Sequence, residues 1–315
     1  MNRKAKDVVP GEKAASPKLA DLVTMEDPGA VLGETLIVAR LISPEIDTAF
    51  VRHVFGDVRS LFEGVYPHYR RCNTDFHDFQ HTTDCLLAMV RLMHGAYVSG
   101  VDLSEKEVRL GLVTALMHDT GYIQKETETT GTGGSYTKVH VQRSIEFMES
   151  YFNLHGLSDA DFHLCRRCIK CTGLDVHIHE IRFVSRTQEL LGKMLGTADL
   201  LGQIASRTYL EKLVYLHKEF SEAKIPGFQD EYDLLVKTAN FYDITKKRLK
   251  NELSGMNHYA RAHFASRHGV DADLYSEAME NNIRYLDHVL STYGDDYRKH
   301  LRRGGLVEVA DKASR

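Results

Sequence analysis

The chain is short of everything that builds sheets, disulfide scaffolds or membrane spans. It holds six prolines in 315 residues, and alternating apolar–polar runs bounded by hairpin turns are absent, which argues against a β-rich fold. Five cysteines, unevenly spaced, are too few for a disulfide framework, so reduced thiols are expected. No stretch has the 18 or so uninterrupted apolar residues that span a bilayer, and the charged start has no apolar leader core. A cytoplasmic protein without a membrane partner is the expectation. Charge of one sign is not gathered into a stripe on a chain of net charge −4, so the footprint of a nucleic-acid binder is missing and small substrates are favoured.

What the chain has is helical rhythm. Apolar residues recur every three or four positions in "TTDCLLAMVRLMHGAYV", "SEKEVRLGLVTALMHD", "HVQRSIEFMESYFNLH", "GKMLGTADLLGQIA" and later segments, and no internal repeat interrupts them. The reading is an all-α, single-domain bundle over residues 28–300, with a disordered tail over 1–27 and a short basic tail over 301–315. Ser43-Pro44 reads as the start of a helix, with proline in its first turn. Gln124 to Lys138, rich in glycine and threonine with no apolar face, reads as a mobile loop that could act as a lid. Cys165, Cys168 and Cys171 in "CRRCIKC" lack a fourth partner and read as small core residues.

Two short stretches carry chemistry. "FHDFQH" places His77 and His81 four apart, on one face if helical. "ALMHD" ends an apolar helix with His118-Asp119, an imidazole and a carboxylate together, which suits Zn²⁺, Mn²⁺ or Fe²⁺. Asp199 follows in "GTADLLGQ".

In this order and spacing, "FHDFQHTTDC", "ALMHDTGY", "CTGLDVH" and "GTADLLGQ" resemble the motifs of the HD-domain metal-dependent phosphohydrolases, most closely the class I cyclic-nucleotide phosphodiesterases. The resemblance runs from about Tyr66 to about Glu219 and implies an HD/phosphodiesterase-like helical fold with two divalent metal ions, Zn, Mn, Mg or Fe. It implies that His81, His118, Asp119 and Asp199 hold the first metal, that Asp119 bridges to the second, and that Asp84 accepts the free N–H of a ligand histidine. His77 would be the general acid that protonates the leaving oxygen, acting on a phosphodiester or nucleotide with a metal-bridging hydroxide.

The chain departs from the phosphodiesterase pattern at Tyr122, where that family has a second histidine, and it lacks the family's purine-clamping glutamine, which neither Gln203 nor Gln229 replaces. His140, at the end of the loop, is a candidate second-metal ligand or phosphate contact, and Lys138 beside it is read as solvated. His163 is the candidate for a further ligand of the kind di-iron HD oxygenases use, but its neighbours do not resemble their motif and it is read as a partly buried core histidine, and His177 and His179 as solvent-facing. Phe228, Phe241 and Tyr242 are read as core rather than as a base-stacking wall. Besides the phosphohydrolase, two function classes stay open: a di-iron oxygenase with extra histidine ligands, and a non-catalytic regulatory protein.

Overall fold

The computed structural model describes residues 17–313, and these form an all-α bundle of thirteen α-helices with no strand among them. In chain order they are α1 (Leu19–Leu22), α2 (Pro28–Ile42), α3 (Thr48–Glu63), α4 (Phe79–Val98), α5 (Glu105–Met117), α6 (His140–Leu154) and α7 (Asp159–Ile169). Then follow α8 (Arg186–Ile204), α9 (Tyr209–Glu222), α10 (Glu231–Asn251), α11 (His258–His268), α12 (Leu274–Tyr293) and α13 (Leu306–Ala313).

The bundle is organised around α4. Every residue from His81 to Ala96 is buried, because α4 is surrounded by α2, α5, α8 and α11. A helix buried on all sides serves as the axis of the core, and its polar residues, His81, Asp84, Arg91 and His94 among them, are buried with it. Asp78 starts it: the Asp78 carboxylate accepts the His81 N–H (2.9 Å) and is itself held by Lys212 Nζ of α9 (2.7 Å). Against α4, α8 comes so close that a Cβ on Gly202 would lie 2.9 Å from the backbone of Asp84 and Cys85. Small residues at this crossing let the two helices that carry His81 and Asp199 touch backbone to backbone.

Several expectations change. Ser43 ends α2 and does not begin a helix; α3 is capped by Asp47, which accepts the Phe50 N–H (3.0 Å), while proline in the first turn is used by α2 at Pro28. Residues 1–16 of the expected N-terminal tail lie outside the described residues, but Leu19, Leu22, Val23 and Met25 pack on the core. The C-terminal stretch is likewise docked: Leu301, Val307 and Ala310 are buried, and the Tyr215 hydroxyl donates to the Leu306 carbonyl (2.8 Å). The apolar residues of α13 outweigh the basic Arg302 and Arg303 that precede it.

The Gln124 to Lys138 segment is pinned. Gln124 is buried, and its side chain accepts from Asn73 (2.9 Å) and donates to the Thr130 carbonyl (3.1 Å). Thr132 donates to Glu222 of α9 through its backbone N–H and its hydroxyl, and Arg143 grips Glu128 with both ends of its guanidinium (2.8 and 2.9 Å). Polar side chains from three elements replace the missing apolar face. Cys165, Cys168 and Cys171 are buried free thiols, and no helix among the described residues is long and apolar enough to cross a membrane.

A buried histidine pair joins α11 to α4, with His263 Nδ1 3.1 Å from His94 Nδ1. Burial, reinforced by Arg91, pushes His263 down to about 2, and burial lowers His94 too. A histidine whose folded value is depressed binds fewer protons than the unfolded chain once pH falls below the ordinary 6.5, so its contribution is intact above that pH and lost beneath it. The urea midpoint of the metal-free protein is expected to fall between about pH 7 and pH 5, and less steeply in His263→Asn. Equal slopes in the two proteins would rule His263 out as the cause.

Candidate metal centre

Three helix ends and one helix interior bring their side chains to a single point. His81 comes from the first turn of α4, His118 from the C-cap of α5, Asp119 from the turn that follows it, and Asp199 from α8. His81 Nε2 lies 3.2 Å from Asp119 Oδ2 and 3.1 Å from Asp199 Oδ1. His118 Nε2 lies 3.3 Å from Asp119 Oδ2, 3.7 Å from Asp199 Oδ1 and 3.3 Å from His81 Nε2. His81, His118 and Asp119 are fully buried and their ligand atoms lie within 4.8 Å of one another.

The tautomer of His118 decides what this cluster lacks. Its Nδ1 donates to the Ala115 carbonyl (2.8 Å), so in the neutral ring Nε2 carries a lone pair, and that lone pair faces two carboxylate oxygens. Asp119 Oδ2 is buried with no hydrogen-bond partner. Lone pairs aimed at lone pairs in a buried space require a cation between them. The titration directions say the same. Burial pulls His81 and His118 down, yet the carboxylates outweigh it, raising His81 to about 9 and His118 well above its usual value. Burial likewise opposes ionisation of Asp119 and Asp199, and the two histidines outweigh it and hold both below the carboxylate range. Protons or a divalent metal would satisfy this demand, and two imidazole nitrogens with two carboxylates are a fitting donor set for Zn²⁺, Mn²⁺ or Fe²⁺.

His140 stands on the other side of the shared carboxylate. Its Nδ1 donates to the Thr137 carbonyl (2.7 Å), which turns Nε2 toward Asp119 Oδ1 at 3.7 Å. Burial lowers its pKa, favouring the neutral, ligating form. Asp119 therefore presents Oδ2 to His81 and His118 and Oδ1 to His140, the arrangement of a carboxylate able to bridge two ions. Close packing sets this spacing: a Cβ on Gly121 would lie 2.0 Å from the His140 carbonyl oxygen, and the Gly121 N–H donates to Ser144 Oγ of α6 (2.9 Å).

His77 does not share a helix with His81. Asp78 caps α4, so His77 sits in the turn before it, where its carbonyl accepts the Thr74 hydroxyl (2.8 Å). Its ring is held by a residue that pattern reading did not single out. Glu219 of α9 accepts from His77 Nδ1 (2.6 Å) and, through its other oxygen, from the Phe76 N–H (2.9 Å). A buried glutamate on an amphipathic helix was the one available signal, and nothing in its spacing pointed to His77. Tyr122 stacks on both His77 and His140, with ring centroids at 4.2 and 4.6 Å, while the two imidazoles lie 6.3 Å apart. Its hydroxyl is 3.4 Å from His77 Nε2, and burial, with Asp119, raises its pKa well above the usual phenol value.

Other candidates fall elsewhere. No hydrogen bond joins Asp84 to a histidine among the described residues; its Oδ1 is unpartnered, burial pushes its pKa up to about 7, and it lines a cavity of about 550 Å³ behind α4. Asp84 lies one turn after His81, yet its carboxylate lines that cavity with Gln80, Arg91 and Gly202 instead of meeting a histidine N–H. His163 is exposed on α7 and not among the clustered ligands, and Lys138 Nζ donates to the Lys224 carbonyl (2.9 Å). His177 and His179 are exposed and lie near Glu252, whose carboxylate already accepts the Ile178 N–H (3.1 Å). Phe228, Phe241 and Tyr242 pack on the core, Phe228 against Phe220.

Over residues 67–277 the chain matches the Npun_R2479-like family, and it belongs to that family. No curated protein matches it. The family's description names no chemistry, so the function is read from the geometry.

Metal should bind where the lone pairs converge. Adding Mn²⁺, Zn²⁺ or Co²⁺ to metal-free protein is expected to raise its melting temperature, and His118→Ala should lose most of that rise. Gly121→Ala should cost about 1–3 kcal/mol and weaken metal binding, because the new methyl would push His140 off Asp119. Unchanged metal affinity in Gly121→Ala would break the link between that close approach and the site.

Proposed function

We propose that this protein is a metal-dependent phosphohydrolase acting on a phosphodiester or nucleotide, of the kind its HD-like motifs resemble. The observation that carries the reading is the buried, unpartnered Asp119 Oδ2, set between His81 and His118 on one side and sharing its carboxylate with His140 on the other. Divalent ions held there would neutralise a phosphate and lower the pKa of a bound water.

The protein's own groups supply the rest. Glu219 clamps His77 through Nδ1, so Nε2 is the nitrogen left to pass a proton to a leaving oxygen. Buried Tyr122 stacks on that ring and covers one of its faces. Positive charge gathers along α6, the helix that begins at His140. A cavity of about 650 Å³ along α6 and α7 is lined by Lys138, Arg166, Arg167, Lys170 and Arg182, with Glu180 as its single carboxylate. On a chain of net charge −4 this local excess of positive charge favours a phosphate-bearing substrate over a neutral one. The oxygenase alternative would call on extra histidine ligands, and the candidate for that role, His163, is exposed in the basic cavity.

The test is hydrolysis of a chromogenic phosphodiester, beside cyclic AMP and cyclic GMP, by protein loaded with Mn²⁺, Mg²⁺ or Zn²⁺. Turnover is expected to vanish in His81→Ala. It should fall by about 10²–10⁴ in His77→Asn, with loss of one limb of the pH–rate profile. Glu219→Gln should show a smaller fall with metal content unchanged. Absence of turnover with every metal, in protein that binds metal at Asp119, would overturn the reading.

A further inference from the structure

Far from the central cluster, a second group of metal-type donors converges on the outer face of the bundle. His53 and Asp57 are four apart on α3 and therefore share a face, and His155 caps the C-terminus of α6 opposite them. His53 Nε2 is 3.3 Å and His155 Nε2 3.9 Å from Asp57 Oδ2, and the three ligand atoms all lie within 4.8 Å of one another.

Two features distinguish this from a chance meeting of surface charges. The Tyr151 hydroxyl donates to Asp57 Oδ2 (2.6 Å), which fixes the carboxylate, and the Tyr151 ring stacks on His155 at 4.1 Å, which fixes that imidazole. One residue thus orients two of the three donors, as partners behind metal ligands do. The imidazoles of His53 and His155 meet edge to face at 5.2 Å, with both Nε2 atoms turned to the same oxygen. In a third group, His177, His179 and Glu252, the Ile178 N–H fixes the glutamate but does not also orient a histidine, as Tyr151 does.

The geometry points to a peripheral metal site at His53, Asp57 and His155, selective for borderline divalent ions of the Zn²⁺ type and completed by water. Two nitrogens and one oxygen are the wrong donors for Ca²⁺ or Mg²⁺, which take oxygen. An ion there ties α3 to the end of α6, and α6 carries His140 at its other end, about 22 Å away by helix rise. The site is structural: it clips in place the helix that presents His140. It does not depend on the central cluster being catalytic.

Co²⁺ is the probe, because its visible spectrum reports low coordination number and its stoichiometry can be counted. Metal-free wild-type protein is expected to bind at the central cluster and, more weakly, at one further position. In His53→Ala/His155→Ala one equivalent should disappear while the central equivalents and the metal-free melting temperature stay unchanged. In His118→Ala the peripheral equivalent should remain, which separates this site from the central one. Tyr151→Phe keeps the stacked ring but removes the hydroxyl, and should weaken the peripheral equivalent about tenfold. Identical Co²⁺ stoichiometry in wild type and the double variant, or no peripheral binding in His118→Ala, overturns the proposal.

Discussion

Everything at the candidate centre depends on one electrostatic constraint: a buried carboxylate, Asp119, is faced by histidine lone pairs and has an oxygen with no partner. An ionised carboxylate in such a place is costly unless a cation meets it. The neighbouring backbone removes other escapes. Ala115 and Thr137 take the Nδ1 protons of His118 and His140, so both rings are committed to presenting Nε2 inward. The demand for positive charge is built into the main chain as much as into the ligands.

The scaffold meets this demand by rigidity. α4 is buried along most of its length, and the close backbone contact at Gly202 fixes α8 against it, so the spacing of His81 and Asp199 follows from core packing. Rigid helices suit a centre whose ligands must hold their places to fractions of an ångström. The segment between Asp119 and His140 contributes in the same way. Its polar anchors to Asn73, Glu222 and Arg143 turn a glycine-rich stretch into part of the wall.

Around the centre, the groups divide by role. Glu219 and Tyr122 hold His77, while lysines and arginines line the cavity beside α6. α6 links these parts: it begins at His140, borders the basic cavity, and ends at His155. A helix that presents His140 to the candidate metal centre at one end and meets α3 through Tyr151 and Asp57 at the other connects the outer packing to that centre.

The sequence by itself determined the helical class, because apolar periodicity is a local property that survives without coordinates. That His81, His118, Asp119 and Asp199 meet was implied by the resemblance of their motifs to the HD-domain phosphohydrolases, and the tertiary structure brings them together. It also marked His140. Only the tertiary structure decided that His77 stands outside α4, since Asp78 competes for the cap, and that Glu219, 142 residues away along the chain, holds its ring. The ordering of Gln124 to Lys138 and the docking of the C-terminal helix were hidden for the same reason. Both rest on side-chain partners from distant elements, Glu222 and Tyr215 among them, and no spacing rule within a segment encodes the partner it will meet.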